Sequence, residues 1–149
     1  MEAERTLGPE APTAGHTVQV PSVLRCGLLI FAVKMALKTW GFGRTLGWIR
    51  RRVGRVPTLA IGAFVIDEMT ATEHALAVAG ALFPGRALCL EQSLVLYYVL
   101  RRQGVAVKYC HGVRPHPFEA HAWIEYGGEV INDVPEHLKP FARLPEQLP

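Results

Sequence analysis

The periodicity of the chain changes at Gly104. Ahead of it, apolar residues recur at helical spacing; after it they alternate, in VAVKYCHGV, AHAWIEY and EVIND. Helices gathered before a run of neighbouring strands do not suit a sheet wound from alternating strands and helices. They suit the α+β class, with helices stacked on an antiparallel sheet. At 149 residues the chain can bury one core with a helical lobe attached. Half of its residues are hydrophobic, which excludes a mainly disordered chain.

Residues 1–20 mix Glu, Pro, Thr and Gly without period and read as a loose tail. Residues 22–40 have helical composition, ended by Gly41-Phe42-Gly43, and a second helix covers 44–53 and stops at Gly54. The apolar run 58–66 leaves helix and strand open. Thr70 and Glu73 fit a capping box, which starts the next helix there and carries it to Pro84-Gly85. Residues 89–103 are the most regular element, with Leu90, Leu94, Tyr97 and Tyr98 on one stripe broadened by Val95 and Leu96. Arg101 and Arg102 suit its last turn, and Gly104 is the expected left-handed cap. The chain thus divides into a tail (1–20), a helical lobe (21–83) and a core bearing the strands (84–149), the last two forming one unit.

Charge is divided along the same line. Eight of the 16 Lys and Arg lie between positions 21 and 56, where there is no Asp or Glu; the rest carries eight against all 13 acidic residues. A basic segment on an acidic body suggests two surfaces with different partners. Aromatic-basic interleaving and groove-binding motifs are missing, so nucleic acid is not an expected partner. The longest uncharged run in the first helix is far short of the roughly 20 residues a bilayer needs. The start MEAERTLGPE is acidic, unlike an export signal, so the expected location is the cytoplasm, without a membrane partner.

Three cysteines, Cys26, Cys89 and Cys110, form an odd set without CxxC spacing, which points to free thiols. Cys26 in an apolar helix and Cys110 in a strand read as packing residues. Cys89 opens a helix, where unpaired N–H groups and the dipole favour a thiolate and can donate to an oxyanion. Such a thiol needs a base, itself oriented by a carboxylate or amide. His121 opens the strand AHAWIEY and Asp133 closes EVIND. A three-residue loop at Tyr126-Gly127-Gly128, with Gly128 left-handed, sets Glu125 against Glu129 and His121 opposite Asp133. A two-residue Gly-Gly loop would shift the register and put the pair on opposite faces. His16 and His74 read as surface residues. Cys110, His111 and His116 match no zinc spacing, and there is no phosphate loop or dinucleotide fingerprint, so neither metal nor cofactor is expected.

The blocks CLEQSLVLYYVLRRQG, GVRPHPFEAHAW and GGEVIND resemble the transglutaminase-like cysteine proteases of lasso-peptide biosynthesis. These are the "B2" leader peptidases, the protease halves of split B proteins. The resemblance covers residues 84–133 and implies a transglutaminase-like, papain-like core. It implies Cys89 as nucleophile, His121 as general base and acid, and Asp133 as orienting carboxylate; Gln92 is given no role. The implied reaction removes the leader of a precursor peptide, after a threonine, before an ATP-dependent lasso cyclase closes the ring. Because residues 22–83 read as helical rather than winged-helix, a separate B1-type recognition protein is expected to present the leader. The stretch 44–55 and the helix 22–40 are its candidate docking surfaces, the alternative being that these helices only cover the sheet. Acyl transfer of the transglutaminase type, and a non-enzymatic adaptor that keeps the fold, are the alternatives.

Overall fold

Helix α1, Val23–Val53, begins where Ser22, in extended conformation, accepts the Arg25 N–H on its hydroxyl at 3.3 Å. The computed structural model describes residues 18–58, 65–84 and 89–145. Midway along α1, Gly41 (φ 76°, ψ 173°) leaves the helical region, so the two helices expected either side of it form two segments of one broken rod. A side chain at that φ would clash with the backbone, which is why glycine stands there. The Thr45 hydroxyl donates to the Gly41 carbonyl at 2.8 Å, satisfying a group the break would otherwise orphan.

Helix α2, Val65–Leu82, corrects the expected start at Thr70. Thr70 lies inside the helix and donates its hydroxyl to the Ile66 carbonyl at 2.9 Å. A Thr-x-x-Glu sequence caps a helix only where the preceding chain is non-helical. Here Val65 and Met69 are buried and extend the apolar face backwards. The open question over 58–66 resolves as helix at 65–66; residues 59–64, like 1–17 of the tail, lie outside the described residues.

Helix α3, Cys89–Arg102, stands where its sequence placed it. Leu94, Val95, Leu96 and Leu100 are all buried, because α1, α2 and the sheet each pack against this helix. Tyr97 and Tyr98, expected on the buried stripe, are only half-buried. Gly104 (φ 83°) ends the helix with paired bonds, Val105 N–H to Leu100 and Gly104 N–H to Arg101, each 3.1 Å.

Four strands follow: β1 Lys108–Pro115, β2 Phe118–Tyr126, β3 Glu129–Val130 and β4 Ala142–Arg143. They form an antiparallel sheet in the order β3-β2-β1-β4, with the short helix α4, Pro135–Leu138, between β3 and β4. The face bearing Tyr109, Ala122 and Ile124 joins the helices in one core. By strand alternation, His121 and Trp123 point to the other face, where Phe141 lies against His121. Gly112 lets β4 approach, since a Cβ there would sit 2.8 Å from the Ala142 carbonyl oxygen.

The β2–β3 hairpin corrects the expected register. Glu125 pairs with Val130 and Tyr126 with Glu129, around a two-residue Gly127-Gly128 loop. Both glycines have positive φ, 59° and 92°, the pairing whose twist matches the flanking strands. Gly128 is left-handed as expected, but so is Gly127, and the three-residue loop does not form.

Candidate active site

Asp133 meets His121 in spite of that register. The ladder reaches Ile131, whose N–H donates to the Ile124 carbonyl at 2.9 Å, and then stops. The Asn132 side-chain oxygen takes the Ile124 N–H at 2.8 Å, where a strand carbonyl would otherwise stand. The main chain peels away at this point, and Asp133 turns to the His121 face. Its Oδ2 lies 2.5 Å from His121 Nε2, with both side chains largely buried. The pairing expected from sequence is present, reached by a bend rather than a register.

A bond from Nε2 to a carboxylate places the ring proton on Nε2 and leaves Nδ1 able to accept another. Burial raises the Asp133 carboxyl, but the Val134 N–H at 2.7 Å and the bonds from His121 and His137 outweigh it. The carboxyl is held below its ordinary value and stays ionised. The His121 ring is fixed by stacking on Trp123 (6.3 Å, 19°), by Phe141 (5.3 Å) and by the edge of His137 (5.1 Å).

Cys89 is the first residue of α3, half-buried and free. It shares with His121 the wall of a cleft of about 300 Å³, closed by Phe42, Leu90, Tyr109 and Leu144. Cys89 and His121 thus border one space, with no hydrogen bond joining them among the described residues. Asp133 lies behind His121, away from the cleft lining. Burial first, and then the neighbouring Cys89, push the Tyr109 phenol up, so it stays neutral. Burial, then Arg50, lowers His111, so this wall carries an uncharged imidazole at neutral pH. The cleft is an apolar slot bordered by a thiol at a helix start and by the histidine whose ring Asp133 orients.

The other two cysteines sit as packing residues. Cys26 is fully buried and pushed up by that burial, against a smaller opposing effect of Arg25. Cys110 is buried and accepts the Arg143 guanidinium at 2.7 Å.

Three residues escaped the sequence reading. Ser93, fully buried in α3, donates to the Ala122 carbonyl at 2.9 Å and accepts Asn132 Nδ2 at 3.0 Å. Ser93 and Asn132 therefore stitch α3, β2 and the Asp133 bend together. A serine amid an apolar helix, one turn from Cys89, was the available signal. His137 places Nδ1 3.0 Å from both Asp133 oxygens. Its only signal was the four-residue spacing from Asp133 across Pro135, which starts a helical turn.

A family model of the transglutaminase-like superfamily matches residues 29–146. The chain is also 43% identical over 47 residues to the microcin J25-processing protein McjB of Escherichia coli. That alignment covers 32% of this chain and 23% of the relative, so less than a quarter of the relative's length is spanned. No solved structure gives a significant match. Among the described residues no helix is long and apolar enough to cross a membrane.

Proposed function

The chain belongs to the transglutaminase-like superfamily, and we propose that it is a cysteine peptidase that removes the leader from a lasso-peptide precursor. The observation that carries this reading is the His121–Asp133 bond, made by a histidine that borders a cleft Cys89 also lines. The likeness to a microcin J25-processing protein supports the choice of substrate.

Substrate entering the cleft brings thiol and imidazole within bonding reach, since catalytic hydrogen bonds often tighten only in the complex. His121 Nδ1 takes the Cys89 proton, and the thiolate adds to the scissile carbonyl. The oxyanion is met by N–H groups at the start of α3. As the C–N bond breaks, His121 returns that proton to the leaving amine. Water then attacks the acyl-enzyme, giving one proton to His121, which passes it to the departing thiolate. Asp133 keeps the ring in the productive tautomer and stabilises the imidazolium throughout.

A separate B1-type recognition protein presents the leader in this reading, and the ATP-dependent cyclase acts on the product in the same cytoplasmic compartment. Two surfaces of α1 support a docking role: the exposed Leu24, Leu28 and Phe31, and the arginines 50–52 of its last turn. The decisive experiment is cleavage of the precursor, with recognition protein present, by wild type and Cys89→Ala. Wild type yields leader and core with one water added, and Cys89→Ala yields neither. Undiminished cleavage by the variant overturns the reading, and a product joining two molecules assigns acyl transfer instead.

A further inference from the structure

Behind the cleft, His121, Asp133 and His137 each turn a ligand atom to a common point, all within 4.8 Å of one another. We propose that these three side chains form an inhibitory site for a divalent transition-metal ion of the zinc type. Two imidazoles and one carboxylate are the donor set that borderline metals prefer, and three protein ligands leave a fourth position open. Zinc holds such ligands at about 2.0–2.2 Å, so the donors of a tetrahedral ion stand roughly 3.4 Å apart. His137 Nδ1 lies 3.0 Å and His121 Nε2 2.5 Å from Asp133 Oδ2. On these two edges an ion therefore needs outward shifts of less than about 1 Å, while the two imidazole nitrogens stay within 4.8 Å of each other.

The surroundings already hold the donors in place. Asp133 Oδ1 accepts the Val134 N–H at 2.7 Å, which fixes the carboxylate plane and leaves Oδ2 turned to both rings. Phe141 packs on both imidazoles, with centroids 5.3 Å from His121 and 6.0 Å from His137. Outer contacts of this kind orient ligands in known metal sites. His137 is half-exposed, which gives an ion a path from solvent.

The consequence for activity follows from proton placement, and it rests on the peptidase reading above. In the resting pair the His121 proton is on Nε2 and Nδ1 is free. An ion on Nε2 takes that lone pair, and the proton moves to Nδ1. A ring protonated at Nδ1 has no lone pair there for the Cys89 proton. The ion stops the enzyme without touching the thiol.

The test is zinc titration of the full chain against a competing chelator, with Co²⁺ as spectroscopic probe. The proteins are wild type, Cys89→Ala, His137→Ala and His137→Asn, the last keeping a donor to Asp133 with little affinity for metal. Wild type and Cys89→Ala should bind one zinc equally, both His137 variants at least about tenfold more weakly. The cobalt spectrum should lack a thiolate charge-transfer band. Failure of wild type to bind, weaker binding in Cys89→Ala, a thiolate band, or unchanged affinity in both His137 variants overturns the site. These readouts need no cleavage, so they stand apart from any failure of the peptidase reading. In the cleavage assay, zinc that stops wild type should be needed at least about tenfold higher for His137→Asn.

Discussion

Asp133 serves two histidines with one carboxylate. Oδ2 holds His121 at 2.5 Å, while His137 reaches both oxygens from the exposed side. The ionised form matters, because a neutral amide at this position can also accept from Nε2 or donate to it. With Asp133→Asn the ring can settle with its proton on Nδ1, the wrong nitrogen to accept from Cys89. The variant should lose about 10³-fold in kcat with little change in KM, the pattern of an interaction made mainly in the transition state. In a His121→Ala background the same substitution should cost almost nothing further. Steady-state cleavage kinetics on the two single variants and the double variant measure this, and additive losses would show that Asp133 acts by another route.

At the scale of elements, the site depends on where β3 stops. Asn132 ends the ladder by taking the Ile124 N–H, and Ser93 holds the Asn132 amide to α3. Ser93→Ala leaves the Ala122 carbonyl and the Asn132 amide without this partner in a buried place, at a cost of about 1–3 kcal/mol. Urea denaturation should show that loss, and kcat should fall with it as Asp133 loosens; an unchanged midpoint would remove the stitch from the account. Gly128→Val, at φ 92°, should cost about 1–2 kcal/mol through backbone strain, with the register of β2 against β1 retained in amide exchange. The changeover at Gly104, α3 and the hairpin strands were all legible, because each is written in local periodicity and a cap. The start of α2 was not, because a capping box is only four residues long and buried Val65 and Met69 outweigh it. The hairpin register was not either. Two adjacent glycines permit both loops, and the bend that rescues the His121–Asp133 pair is made by a side chain replacing a main-chain carbonyl. Such a replacement leaves no periodic trace. His137 was invisible for a related reason, since a histidine after Pro-Glu is ordinary until the bend puts Asp133 beside it.

Across the whole molecule, the sheet that carries the site is closed on its far edge by charge. Arg143 of β4 reaches across β1 to Glu125 of β2 at 3.0 and 3.2 Å, and Trp123 donates its indole N–H to the same carboxylate at 2.9 Å. Burial pushes the Glu125 carboxyl up, and the bond from Trp123, the Arg143 guanidinium and the Cys110 contact together bring it below its ordinary value of 4.5. A carboxyl lower in the folded than in the unfolded chain binds fewer protons when folded, so stability rises with pH across the interval between the two values. The contribution is complete above the ordinary value and is lost as pH falls through the folded one. Asp133, held low by the Val134 N–H and its histidines against burial, adds loss of the same sign. The urea midpoint should therefore be flat with respect to these two groups above about pH 5 and fall below it. Glu125→Gln should lower stability by about 1–2 kcal/mol at neutral pH, where the charged bonds are complete. It should also flatten the acid limb, leaving the part that belongs to Asp133. Amide exchange then locates the loss: β4 and the Gly112 region should open before α3, because the edge strand is tied by this carboxylate and the helix by its apolar faces. An acid limb as steep in Glu125→Gln as in wild type would mean that the edge is held by the backbone alone.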